Sequence, residues 1–192
     1  MISDKISEQK KSLRKFFKQQ RRQLYESQLA AYNQGIFDKV LSLREFKEAD
    51  TIHIYASMSE RNEVDTFLII NYALKQKKRV FVPVMKEAGK LKHCEIDSTN
   101  SLKKNSWGVP EPVHQNLLEE VNPDVIFVPM LAGDHQKNRL GYGKGYYDRF
   151  LAVTESFKAG LLFEKQLSDK PIPVDHFDVP LDILITEKRI LR

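Results

Sequence analysis

From residue 51 onward the chain alternates short apolar runs with stretches of helical periodicity, and this alternation restricts its fold more than any other feature. The runs lie at 51–55, 79–84, 91–96, 124–128, 159–163 and 182–186, with a helical pattern over 65–77 after the first. Several runs are apolar at consecutive positions, so both faces of each strand must be covered. Such strands alternating with helices predict an α/β fold built on an open, mostly parallel sheet with helices on both faces. Pro and Gly cluster at 107–112, 129–145 and 171–180, and each cluster reads as a loop.

The first fifty residues have a different texture. Ile6, Leu13, Phe16, Phe17 and Leu24 alternate at spacings of three and four, which predicts an amphipathic helix over 3–26. Lys10, Arg14 and Lys18 then stack on one side of it. A second stripe, Leu29, Tyr32, Ile36, Val40 and Leu43, predicts a helix after Ser27, with Ser27 as its N-cap. Together they are expected to form an N-terminal helical hairpin. The formal charge of +5 is confined to this region. Residues 1–26 hold Lys5, Lys10, Lys11, Arg14, Lys15, Lys18, Arg21 and Arg22 against Asp4, Glu8 and Glu26, and the remainder is formally neutral. Such a segment suits phosphates, an acidic substrate or simply a solvated helix face.

Composition narrows the class. With 41% hydrophobic and 30% charged residues, the chain reads as one globular domain over 1–192. No stretch nears the roughly 20 apolar residues of a membrane span, so no membrane partner is expected. Cys94 is the one cysteine, which excludes an internal disulfide and a thiolate zinc cage and fits a cytoplasmic location. The five histidines have no ligand spacing, and there is no GxSxG elbow or HExxH pair.

The strongest local motif is Arg139-Leu140-Gly141-Tyr142-Gly143-Lys144-Gly145-Tyr146-Tyr147-Asp148, set between a strand and a helical pattern. Alternate glycines let the backbone take positive φ and turn its N–H groups toward an anion. Arg139 and Lys144 add full charges, and a helix starting near Gly145 would add its dipole. The GxGxG spacing fits neither a dinucleotide fingerprint nor a P-loop. A hinge-like turn is the plain alternative. Asp148 suits either the first turn of a helix or a Mg²⁺ held with nucleotide phosphates. Asp182 is the second carboxylate that such an ion would need, or else a strand boundary. Tyr146 and Tyr147 suit stacking on a flat ring or packing in a core, with one of the pair buried.

On these residues the chain resembles the 5-formyltetrahydrofolate cyclo-ligase family. The resemblance rests on Lys10-Lys11-Ser12-Leu13-Arg14, Glu63-Val64-Asp65-Thr66, Trp107-Gly108-Val109-Pro110-Glu111-Pro112, the glycine motif and the closing strand with Asp182. It implies a Rossmann-like domain that uses Mg-ATP to turn 5-formyltetrahydrofolate into 5,10-methenyltetrahydrofolate, ADP and phosphate. ATP would then meet Lys10, Lys11, Ser12, Leu13 and Arg14, together with Arg139, Leu140, Gly141, Tyr142, Gly143, Lys144, Gly145, Tyr146 and Tyr147. The folate, possibly polyglutamylated, would meet Glu63, Trp107, Tyr142, Gly143, Lys144, Gly145 and Tyr146. Mg²⁺ would fall to Asp148 and Asp182, and Arg139 and Lys144 would carry the phosphate charge during catalysis. A monomer with no nucleic-acid partner is expected. In its relatives a glycine usually precedes the Arg-Leu-Gly in a pattern like FDxxGxRLG, whereas Lys137 stands there now, with Gly133 at the aromatic position. A basic RNA-binding protein, or another small ATP-dependent kinase or ligase with the same loop, are the rival readings.

Overall fold

The computed structural model describes residues 2–86, 89–114 and 116–192, without the side chains of residues 2 and 3. Its helices are α1 (Ile2–Arg22), α2 (Glu26–Ser42), α3 (Arg44–Glu48), α4 (Phe67–Lys75) and α5 (Tyr146–Leu151). The first strands are β1 (Thr51–Ile54), β2 (Arg79–Met85), β3 (Leu91–Ile96), β4 (Leu102–Lys104), β5 (Pro110–Pro112) and β6 (Leu117–Leu118). Then come β7 (Val125–Val128), β8 (Ala132–Asp134), β9 (Arg139–Leu140), β10 (Phe157–Leu161), β11 (Leu167–Ser168), β12 (Ile183–Ile185) and β13 (Ile190–Leu191).

Eight strands form the main sheet in the order β13-β12-β10-β7-β1-β2-β3-β6. The five central strands, β12 through β2, run parallel, and the pairs at both edges are antiparallel. Consecutive residues of β7 show why its run is apolar throughout. Val125 and Phe127 join one core with Ile36 and Val40 of α2, Phe46 of α3 and Ile69 and Ile70 of α4. Ile126 and Val128 join a second core on the opposite face with Tyr147, Phe150 and Leu151 of α5. The predicted two-sided sheet is therefore present.

A third cluster seats α1, placing Phe17 and Leu13 against Leu131, Ala132, Leu140 and Ile172, around the small β11-β8-β9 sheet. The two N-terminal helices follow one another through a short turn, but Ser27 is not the cap. The helix α2 begins at Glu26 after an extended Tyr25 and has no side-chain cap bond. Two of the predicted loops also contain strands. The 107–112 cluster includes β5, which pairs with β4 as a ribbon, and the 129–145 cluster includes β8 and β9.

The turn between β8 and β9 answers the question raised by Lys137. Lys137 adopts a left-handed backbone, φ 66°, which is the conformation a glycine would take freely. The turn is held by the buried Asp134 carboxylate. It accepts the N–H groups of Gln136 and Asn138 at 2.9 Å each, the Asn138 amide at 3.0 Å and the Ile172 N–H at 2.8 Å. Gly133 is small because a Cβ there would meet Leu184 Cδ1 at 2.7 Å.

Candidate active site

Strand β1 has β2 on one side and β7 on the other, so the strand order switches at β1. In open α/β sheets, ligands occupy the crevice beyond the carboxyl ends of the strands at such a point. A cavity of about 300 Å³ opens there, floored by Tyr55, Ala56 and Met58 after β1 and Pro129 after β7. Pro83 and Met85 of β2 and Leu91 of β3 give it an apolar wall. The glycine motif, Glu63, Trp107 and Asp148 complete it.

Two of the three motif glycines adopt the expected positive φ, Gly143 at 88° and Gly145 at 69°; Gly141 does not. Both also lie against arginines. A Cβ on Gly143 would meet Arg14 Cζ at 2.9 Å, and one on Gly145 would meet Arg149 Nη1 at 2.7 Å. Arg14 donates to the Gly141 carbonyl at 3.0 Å, and Arg149 to the Lys144 carbonyl at 2.9 Å. The loop is thus clamped from both sides by guanidinium groups, which disfavours a free hinge. Lys144 is exposed at the cavity mouth, whereas Leu140 is fully buried in the α1 cluster.

Arg139 is buried and forms an ion pair with Asp148, and its guanidinium lies 5.9 Å from the Tyr147 ring. Tyr147 is the buried member of the tyrosine pair, and burial pushes its phenol well above the usual range. Tyr146 is half-buried and donates to the Lys86 carbonyl at 3.1 Å. Trp107 stands 63% exposed in the connection between β4 and β5, and its carbonyl accepts a bond from Arg61 at 3.2 Å. Its indole is therefore a rim group, available to cover a flat ligand.

Opposite the glycine loop, Glu63 accepts two bonds. Its Oε2 takes the Met58 N–H at 2.9 Å, and its Oε1 takes the Tyr142 hydroxyl proton. Arg21 donates to the same Tyr142 oxygen at 3.0 Å and sits 3.8 Å from Glu63 Oε1. Burial, and next the Glu63 charge, raise the Tyr142 pKa, so this phenol remains a donor. Arg21 is a site residue that sequence reasoning did not single out. Lys10, Arg14, Phe17 and Arg21 share the face of α1 that meets the rest of the chain, whereas Lys18, expected beside Lys10 and Arg14, is exposed.

The other α1 residues are divided. Lys10 pairs with Asp178 from the 171–180 loop, while Lys11 and Ser12 are exposed and Leu13 packs inward. Burial lowers the Arg14 pKa, with the nearby Asp178 charge opposing it. The structure does not bring Asp182 to Asp148. Asp182 stands exposed before β12, and its Oδ2 accepts the Lys158 N–H of the neighbouring strand at 2.6 Å. Asp182 precedes β12 at the amino end of the parallel strands, whereas the cavity opens beyond their carboxyl ends. The strand-boundary reading of Asp182 is the one its geometry supports. Among the described residues, no three of His, Cys, Asp and Glu gather as a metal cluster.

The fold and cavity define an α/β protein with a ligand crevice at a sheet switch point, closed by a basic glycine loop. The model of the 5-formyltetrahydrofolate cyclo-ligase family matches residues 6–187, and the chain belongs to that family. It is 32% identical over 174 residues to the probable 5-formyltetrahydrofolate cyclo-ligase of Schizosaccharomyces pombe, covering 82% of this chain and 85% of that protein. It is 34% identical to the Haemophilus influenzae 5-formyltetrahydrofolate cyclo-ligase, covering 79% and 84%. The NMR structure of 5,10-methenyltetrahydrofolate synthetase from Aquifex aeolicus matches with a TM-score of 0.81 at 32% identity, covering 95% of this chain and 92% of that one. The Mycoplasma pneumoniae synthetase, at 24% identity and a TM-score of 0.73, shares the fold.

Proposed function

We propose that the chain is an ATP-dependent 5-formyltetrahydrofolate cyclo-ligase, yielding 5,10-methenyltetrahydrofolate, ADP and phosphate. The observation that carries this reading is the polarity of one cavity. A basic glycine loop suited to phosphates faces the fixed carboxylate Glu63, suited to the N–H groups of a pterin, across an apolar wall.

The formyl oxygen is a poor leaving group until it is phosphorylated. Transfer of the γ-phosphoryl group to it breaks the bond to ADP. N10 then attacks the formyl carbon and gives up its proton, and the oxygen leaves with phosphate. Phosphoryl transfer relies on positioning and charge rather than on a protein nucleophile. Lys144, exposed at the cavity mouth, would neutralise phosphate charge together with Arg139, and the loop amides are suited to cradling the phosphates. Lys10, Lys11, Ser12, Leu13 and Arg14 form the nucleotide side through α1, and Lys10 must exchange Asp178 for phosphate to contribute. Trp107, Tyr142 and Tyr146 border the folate.

A Mg²⁺ ion fits Asp148 alone among the two carboxylates expected to hold it, because Mg²⁺ takes most of its ligands from phosphates and water. Bound there, it would neutralise phosphate charge. A cytoplasmic monomer that accepts polyglutamylated folate completes the proposal. The absence, among the described residues, of any helix long and apolar enough to cross a membrane is compatible with it.

The test is to mix purified protein with Mg-ATP and 5-formyltetrahydrofolate and follow the methenyl absorbance. A chromophore that requires ATP supports the reading, and its absence under conditions where an authentic cyclo-ligase works overturns it.

A further inference from the structure

One buried charge of α1 has no role in the nucleotide side of the site. Arg21 is 4% exposed, stands at the carboxyl end of α1 and lies 3.8 Å from Glu63. The crevice beside it is walled by Tyr55, Val64, Met130 and Leu161, so water screens the pair poorly. Its Nη1 bonds the Tyr142 hydroxyl, that hydroxyl donates to Glu63, and its Nη2 approaches the same carboxylate oxygen. A second link runs alongside. The Asn62 side chain donates to the Arg21 carbonyl at 3.3 Å, and Asn62 holds a left-handed backbone, φ 49°, immediately before Glu63.

We propose that Arg21 is a positioning residue for the folate half of the site, acting through Glu63 and Tyr142. The guanidinium lies 3.8 Å from Glu63 Oε1, close enough to offset the charge of a carboxylate that accepts hydrogen bonds on both oxygens. The Tyr142 hydroxyl spends its proton on Oε1, and the Met58 N–H holds Oε2, so the plane of the carboxylate is set before a ligand arrives. Because Arg21 and Arg14 sit on one helix, docking of α1 builds both halves of the cavity at once. Arg14 steadies the loop at Gly141, and Arg21 steadies the carboxylate opposite. The helix that would carry the nucleotide contacts therefore also reaches the half of the cavity that would take the second substrate. This inference rests on the proposed cyclo-ligase activity.

The experiment measures KM for each substrate, and direct 5-formyltetrahydrofolate binding without ATP, for wild type, Arg21→Met, Arg21→Lys, Glu63→Gln and the Arg21→Met/Glu63→Gln double variant. Losing a hydrogen-bonded buried charge partner corresponds to about a tenfold or greater loss in folate affinity. Arg21→Met should raise the folate KM by that factor with the ATP KM within about twofold. Arg21→Lys should recover part of the loss, because it keeps the charge without the two-pronged geometry. In the Glu63→Gln background, Arg21→Met should have little further effect on folate binding. Equal losses in both KM values, or full additivity with Glu63→Gln, would overturn the assignment. Far-ultraviolet circular dichroism and the urea midpoint of each variant separate misfolding from a site effect. If Arg21→Met does not fold, Arg21→Lys and Tyr142→Phe carry the same comparison, since Tyr142→Phe removes the bridging proton. An inactive wild type would instead defeat the cyclo-ligase reading itself, while the binding arm still reports on Arg21.

Discussion

Lys137 stands in a left-handed turn where its side chain is a liability, and replacing it with glycine should stabilise the protein. A non-glycine residue in the left-handed region costs about 1–2 kcal/mol, of which the extra unfolded-state freedom of glycine returns about 0.5–1 kcal/mol. The net gain expected for Lys137→Gly is therefore about 0.5–1 kcal/mol. The backbone bonds at this position, its N–H to the Asp134 carbonyl at 2.9 Å and its carbonyl from the Leu181 N–H at 3.2 Å, do not involve the side chain and are retained. In urea, the midpoint should rise with the slope unchanged, and the melting temperature should rise by about 1–4 °C for a chain of this size. Lys137→Ala is the control, because alanine suffers the same φ strain and should give no such gain. A lower midpoint for the glycine variant, or an equal rise for the alanine variant, would refute the claim that backbone strain decides the substitution.

Three further outcomes follow from the same geometry. Gly143→Ala places a Cβ where Arg14 Cζ would be 2.9 Å away, at φ 88°, so it should raise the ATP KM about tenfold or more; an unchanged ATP KM would show that this loop does not hold nucleotide. Asp182→Asn should leave the Mg²⁺ requirement of the reaction unchanged, because its carboxylate lies at the amino end of β12 and does not line the cavity, and a raised Mg²⁺ requirement would restore it as a metal ligand. Burial, and next the Lys92 charge, hold the His93 pKa down to about 4, and burial also lowers that of its partner His53, 3.1 Å away. Because the unfolded chain takes up protons that the native state refuses, stability is intact above pH 6.5 and falls as pH drops toward about 4. The urea midpoint should decline between pH 7 and pH 5, and His93→Gln should flatten that decline; an unaltered slope would refute the assignment.

Much of the site was legible before the fold was known, for reasons that differ by residue. The central strands announced themselves because residues such as Val125, Ile126, Phe127 and Val128 face two cores in alternation, which forces an unbroken apolar run. The glycine loop was visible because its backbone and its arginine neighbours tolerate few alternatives at Gly143 and Gly145. The short strands β8 and β9 were hidden because two or three residues carry no period, and the bonds that shape their turn come from the Asp134 side chain. Arg21 was hidden by the charge run around it. Nothing in a row of basic residues distinguishes the buried one until the face of the helix that docks is known. Asp182 was ambiguous because a carboxylate opening a strand has the same sequence signature whether it faces a ligand or caps the neighbouring strand.

The most direct measurement is the stoichiometry of the two products in one reaction, methenyl chromophore by absorbance and ADP by a coupled assay, as 5-formyltetrahydrofolate is titrated at saturating Mg-ATP. One ADP should appear for each methenyl group formed, with neither product when either substrate is withheld. Chromophore without ADP, or ADP released without folate at the same rate, would contradict a cavity that joins phosphate chemistry to ring closure.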